Sequence, residues 1–158
     1  MSTAITLKRL PMLDRDRILG KLAELDSYLR EIAEIKPSTL TEYQTIEKKR
    51  SCERLLQLSI ECTIDVCKLF VVGHRLGLPS DETDLFSKIH RKGIITAELE
   101  EKLREMRGLR NILVHEYGAI DDNIVFRALI SRLADFGLFK KQMIQALQGA
   151  MEARGSGE

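Results

Sequence analysis

Apolar residues recur at intervals of three and four along most of this chain, and that periodicity is the feature that most restricts its fold. The first clear stripe has intervals of 4-3-4-3 and consists of Ile18, Leu22, Leu25, Leu29 and Ile32. This spacing is typical of an α-helix with one apolar face, because a helix turns by about 100° per residue. It predicts a helix from about Asp14, a suitable N-cap, to Ile35, and Pro37 cannot continue it.

The strongest apolar segment follows, at about residues 49–76, after a short helical turn near residues 41–43. It is apolar over much of its circumference, which is typical of a central helix. Within it, Glu61 and Asp65 are four residues apart and share a face. The sequence Gly-Leu-Pro-Ser at residues 77–80 predicts a clear break after this helix.

Three more helices are predicted beyond the break. Ser80 or Asp81 can cap a short helix that Gly93 closes, and Thr96 begins a longer one. The Asp121-Asp122 pair can cap a last, continuous helix. The alternating patterns that mark strands and hairpins are missing. The sequence therefore predicts an all-α fold, an up-and-down bundle of four to five helices.

Length and composition indicate one globular domain. The chain has 158 residues, of which 44% are hydrophobic and 31% charged, so it can bury a core of its own. We expect an N-terminal lead-in at residues 1–12, a helical domain at residues 13–148 and a flexible C-terminal tail at residues 149–158. With 25 basic and 24 acidic residues, the chain lacks the strongly basic balance of many nucleic-acid-binding domains, so such contact would need a local basic patch.

The cysteines and the hydropathy pattern bear on the cellular compartment. Cys52, Cys62 and Cys67 fall in one apolar helical segment, which favours free, buried thiols in a reducing compartment. We find no secretory signal pattern and no apolar run near the ~20 residues of a membrane span. These features predict a cytoplasmic protein without a membrane contact.

Residues 110–117 read Arg-Asn-Ile-Leu-Val-His-Glu-Tyr and combine several reactive side chains. Arginine presents a planar cationic fork that suits phosphate, and histidine can exchange a proton near neutral pH. Arg110 and His115 could therefore act together on a phosphodiester, although an ordinary helix end would also accommodate them. The chain has no HExxH, no paired CxxC and no glycine-rich phosphate loop, so neither a metal site nor a cofactor is predicted.

Helical geometry constrains how these residues could cooperate. Asn111 and His115 lie within roughly 40° of each other on an ideal helix, but Arg110 and His115 are about 140° apart. Two arrangements could bring the latter pair together. The helix could unwind around residues 116–118, or a two-fold dimer could present both side chains to one cleft from two copies.

The string Arg110-(x4)-His115-x-Tyr117 resembles the R-x4-H-x-Y motif of the HepT-like toxins, small all-α ribonucleases of the HEPN superfamily. Residues 53–70 resemble the central helix of that family. Residues 106–122 resemble its motif helix and the Asp-Asp pair that opens its last helix. The resemblance covers about residues 14–147.

This resemblance implies a HEPN-like bundle that forms a homodimer and cleaves an RNA substrate, without a metal, in a cleft at the dimer interface. It implies that Arg110 stabilises the scissile phosphate, that His115 is the general acid or base, and that Asn111 orients either the substrate or the histidine. The family's partner is a minimal nucleotidyltransferase antitoxin that neutralises the toxin by transferring AMP to the motif tyrosine, here Tyr117. Glu61 would support Arg110 or His115.

A non-catalytic role stays open beside this one. The chain could be a nucleotide- or partner-binding subunit of a minimal nucleotidyltransferase. Arg110 and His115 would then position the nucleotide, and Tyr117 would be a modification site only.

Overall fold

The structure is a computed structural model that describes residues 12–115 and 120–155. These residues form seven helices and no strand. In chain order the helices are α1 (Arg15–Ile35), α2 (Leu40–Tyr43), α3 (Ile46–Gly73), α4 (Glu82–Arg91), α5 (Ala97–His115), α6 (Asp122–Ser131) and α7 (Ala134–Gly155). The predicted all-α helical bundle is confirmed. Within the described ranges, none of the helices combines the length and the apolarity that a membrane span requires.

Helix α3 lies at the centre of the bundle and packs against α1, α4 and α5. Its buried side chains are spread around the helix, which explains why its sequence is apolar on more than one face. All three cysteines lie on α3 as free, buried thiols, as predicted. Burial raises the pKa of the Cys62 thiol to about 11, so this thiol stays protonated at neutral pH.

Side-chain caps fix the starts of three helices where the sequence predicted them. The carboxylate of Asp14 accepts a hydrogen bond from the Arg17 amide at 3.2 Å, and that of Asp81 accepts one from the Asp84 amide at 2.7 Å. Asp121 caps α6 in the same manner. Each cap satisfies an amide that has no partner within its helix.

The predicted last helix is divided in two in the structure, into α6 and α7. The break at Arg132 and Leu133 contains neither proline nor glycine, so local propensity does not explain it. It allows α6 to contact α2 while α7 contacts α5. Tertiary packing, which periodicity alone does not encode, accounts for the division.

Helix α7 continues to Gly155, into the stretch that was predicted as a flexible tail at residues 149–158. Leu147 is still buried in the core, and the residues that follow it include good helix formers such as Met151. Gly149 is exposed and costs the helix only about 1 kcal/mol relative to alanine. A single exposed glycine therefore does not end the helix.

Gly73, the last residue of α3, permits a close approach of the chain that precedes α1. A Cβ atom at this position would lie 2.7 Å from the Cα atom of Leu13. We expect Gly73→Ala to lower the free energy of unfolding by about 1–3 kcal/mol, because the backbone of one segment must move. The control is Gly20→Ala on α1, where a Cβ meets nothing within 4 Å and should stabilise the helix by about 0.5–1 kcal/mol. Urea denaturation measures both, and equal stability of the two variants would contradict the prediction.

Candidate functional site

Helix α5 carries Arg110, Asn111 and His115 of the candidate site, and two side-chain contacts constrain Arg110. Its Nη2 donates to Oε1 of Glu82, the first residue of α4, and forms an ion pair with it. Its Nε donates to Oδ1 of Asn111 at 3.0 Å. The Arg110 side chain is only 15% exposed. Two separate contacts therefore hold this guanidinium in one orientation.

The same Glu82 oxygen also accepts a hydrogen bond from Arg107, whose Nε lies 3.1 Å away. Arg107 and Arg110 are three residues apart and thus neighbours on one face of α5. The Asp81 carboxylate also attracts Arg107, so the two guanidinium groups face two carboxylates. Only two of the five N–H donors of Arg110 are used in its contacts with Glu82 and Asn111, so the others are available to an anion such as phosphate.

His115 is the last residue of α5, and it is exposed to solvent. Because α5 is helical from Arg110 through His115, the expected angle of about 140° between their side chains applies. Arg110 is directed towards α4, and one chain does not bring the two residues together within the described part of α5. The predicted unwinding around residues 116–118 lies outside the described residues.

Tyr117, the predicted AMP acceptor, also lies outside the described residues, and its role stays a prediction. Asn111, by contrast, is half-buried and contacts Arg110 directly. In the structure Asn111 therefore contacts Arg110. The helical spacing also puts the Asn111 side chain within roughly 40° of His115 around α5.

The carboxylate that contacts Arg110 in the structure is Glu82, and the predicted support of Arg110 or His115 by Glu61 stays a prediction. Glu61 lies on α3 and accepts a hydrogen bond from Gln57 at 3.1 Å, one turn earlier on the same helix. Glu82 belongs to a different helix from Arg110, and their contact spans 28 residues. Sequence reasoning missed it because no local spacing connects the two, whereas Arg107 could have been found from its separation of three residues.

No group of three or more histidine, cysteine, aspartate or glutamate side chains in residues 12–115 and 120–155 could hold a metal ion. The groups available for chemistry are the Arg110 guanidinium, held by Asn111 and Glu82, and the exposed imidazole of His115. An oriented guanidinium can stabilise negative charge on a phosphate, and an accessible imidazole can transfer a proton.

Comparisons with known proteins agree on one family. The model of the HepT-like ribonuclease family matches residues 25–143. The chain is 31% identical over 124 residues to the tRNA nuclease HepT of Aphanizomenon flos-aquae, a match that covers 78% of this chain and 84% of the relative. It is 29% identical over 124 residues to the mRNA nuclease HepT of Shewanella oneidensis, with coverages of 78% and 93%.

A solved structure leads to the same family. The tri-AMPylated HEPN toxin of Shewanella oneidensis, in complex with its MNT antitoxin, superposes on this chain with a TM-score of 0.75. The sequences are 27% identical, and the match covers 81% of this chain and 96% of the toxin. The residues that the family model matches include the whole of α5, with Arg110 and His115. This chain therefore belongs to the HepT-like ribonuclease family.

Proposed function

We propose that this protein is a metal-independent endoribonuclease that acts as the toxin of a toxin–antitoxin pair. We also propose that a minimal nucleotidyltransferase antitoxin neutralises it by transferring AMP to Tyr117. The observation that carries the proposal is the oriented, largely buried Arg110 on the same helix as an exposed His115, in a chain of the HepT-like ribonuclease family. The relatives named above are nucleases of tRNA and of mRNA, which supports RNA as the substrate.

The reaction follows from the residue types. The 2′-hydroxyl of a ribose attacks the adjacent phosphorus, and the bond from that phosphorus to the 5′-oxygen of the next nucleotide breaks. The 2′-hydroxyl loses a proton and the departing 5′-oxygen gains one, and His115 serves as the general acid or base in these transfers. Arg110 stabilises the negative charge that develops on the phosphorane oxygens, and Asn111 keeps the Arg110 side chain oriented.

A homodimer supplies the arrangement that a single chain lacks. Arg110 faces α4 while His115 lies about 140° away around α5, so one copy does not present both to one phosphate. A two-fold axis beside α5 would place Arg110 of one copy opposite His115 of the other, twice. The proposed active site therefore lies in a cleft between two copies.

The antitoxin partner is supported by the solved relative in which an AMPylated toxin is bound to its MNT antitoxin. The motif tyrosine of this chain is Tyr117, two residues after His115. AMP attached there would bring bulk and a negatively charged phosphate next to the site that must bind RNA phosphate, and both would oppose RNA binding.

Incubation of the purified chain with RNA in the presence of excess EDTA tests the reaction class. We expect cleavage, with products that end in a 2′,3′-cyclic phosphate and begin with a 5′-hydroxyl, because the attacking group is the ribose itself. A parallel preparation of the Arg110→Ala variant controls for a contaminating nuclease. Intact RNA, or products with 5′-phosphates that appear only when a divalent metal is added, would contradict the proposal.

A further inference from the structure

We propose that Glu82 is a positioning residue of the active site, which holds Arg110 in the orientation that RNA cleavage requires and keeps Arg107 beside it as a second phosphate contact. This inference rests on the proposed ribonuclease activity. Glu82 would touch neither the RNA nor the reacting atoms, and would act only through the two arginines.

The hydrogen-bond pattern shows what Glu82 leaves available on Arg110. A guanidinium carries five N–H donors in a planar fork. Nε is used by Asn111, and one hydrogen of Nη2 is used by Glu82. Three donors therefore remain for an incoming phosphate, in a plane that two anchoring contacts define.

Partial burial explains why Arg110 needs a carboxylate beside it. Arg110 is 15% exposed, Glu82 24% and Arg107 31%, so the group is partly withdrawn from water. A partly buried arginine needs a partner, because an unpaired charge is costly to desolvate. Glu82 meets that need for Arg110 directly, while Arg107 is attracted by Asp81 as well as by Glu82.

Hydrogen bonds at the N-terminus of α4 fix the backbone position of Glu82. The Asp81 carboxylate accepts hydrogen bonds from the Asp84 amide and the Thr83 hydroxyl, both at 2.7 Å. These two bonds lower the pKa of the Asp81 carboxyl, so it stays ionised as a cap. The Ser80 amide in turn donates to Oδ2 of Asp84 at 2.9 Å. The carboxylate of Glu82 is thus presented to α5 from a rigid turn.

The variant that tests this role is Glu82→Gln, which keeps the size of the side chain but removes its charge. We expect kcat for RNA cleavage to fall by about 10- to 100-fold, because a misoriented catalytic group loses rate of this order. KM for RNA should stay the same or decrease, because the loss of a negative charge makes the site more positive. This split between kcat and KM is not expected from a residue that serves only the fold.

A matched control lies between the same two helices, about two turns before Arg107 on α5. Glu100 of α5 accepts a hydrogen bond from Arg104 at 2.8 Å and another from Ser87 of α4 at 3.1 Å. Its side chain is 15% exposed. Glu100→Gln removes the same charge from a similar environment but touches neither Arg107 nor Arg110. We expect its kcat and KM to equal those of the wild type, and urea denaturation of both variants confirms that each is folded under the assay conditions.

Each other outcome has a defined meaning. If wild-type protein cleaves RNA and Glu82→Gln has an unchanged kcat, this inference is wrong and the proposed function stands. An increased kcat would also refute it, because Glu82 would then be a competitor of the RNA phosphate for Arg110. An equal loss of kcat in the Glu100→Gln control would also refute it, because the loss of any negative charge between α4 and α5 would then lower kcat. A wild-type protein without activity on RNA would overturn the proposed function, and this inference with it.

Discussion

Mixing two inactive variants, Arg110→Ala and His115→Ala, is expected to restore RNA cleavage. Alone, each should be at least about 100-fold less active than the wild type, since loss of one charge-stabilising donor or of a general acid–base group costs rate of this order. Neither substitution should unfold the chain. His115 is exposed, and removal of Arg110 leaves Glu82 paired with Arg107.

The restored activity can be estimated from symmetry. In an equal mixture of freely exchanging two-fold dimers, about half are heterodimers. If each site combines Arg110 of one copy with His115 of the other, every heterodimer contains one intact site and one that lacks both residues. The mixture should therefore reach about one quarter of wild-type activity. The geometry of α5 is the reason for this expectation, because the helix separates the two side chains by about 140° within one chain.

The measurement is an RNA cleavage assay on the two variants, separately and after they are mixed and left to exchange subunits. Co-expression from one plasmid with two affinity tags provides purified heterodimers in case exchange is slow. An inactive heterodimer would contradict a site shared in this manner between copies. Size-exclusion chromatography of each variant serves as the control that dimers persist.

The second large effect concerns Tyr117. With a minimal nucleotidyltransferase antitoxin and ATP, we expect the wild-type chain to gain AMP and to lose RNA cleavage, while Tyr117→Phe gains none and stays fully active. In the transfer, the phenolic oxygen of Tyr117 attacks the α-phosphorus of ATP, its proton is released, and pyrophosphate departs. Phenylalanine has no oxygen for this bond. Mass spectrometry of the intact chain and of its peptides measures the transfer, and the cleavage assay measures its consequence.

Tyr28 offers a matched control on the same chain. Its phenol donates a hydrogen bond to Glu24 at 2.8 Å, and this contact raises the pKa of Tyr28. The hydroxyl is thereby held in its protonated, less nucleophilic form. We expect Tyr28→Phe to be modified and silenced as completely as the wild type. Modification that persists in Tyr117→Phe, or that disappears in Tyr28→Phe, would place the acceptor elsewhere.

The helices themselves could be predicted from the sequence because their signals are local. The stripe that ends at Ile32, the caps at Asp14 and Asp81, and the break after α3 all depend on residues a few positions apart. The division between α6 and α7 could not be predicted in this manner. It results from packing against two different helices, and nothing between Arg127 and Asp135 marks it.

Only part of the candidate site could be predicted from the sequence, because contacts between helices leave no local pattern. Arg110, Asn111 and His115 belong to one short string, so their presence and spacing could be recognised together. Glu82 could not be recognised, because its contact with Arg110 exists only once α4 and α5 are packed together. An acidic residue at a helix start has an ordinary explanation in the helix dipole, and this explanation hides a tertiary role.

The length of α4 has a consequence for the way in which activity would respond to heat or denaturant. A helix of ten residues is not stable alone in water, and α4 is held in place by its buried Leu85, Phe86 and Ile89. If these three side chains leave the core, Glu82 leaves Arg110 at the same time, although α1, α3 and α5 can remain packed. Such a local opening requires less free energy than global unfolding. The orientation of Arg110 therefore depends on α4 staying packed against the bundle. On heating or in denaturant, we expect RNA cleavage to be lost when α4 detaches, before the whole bundle unfolds.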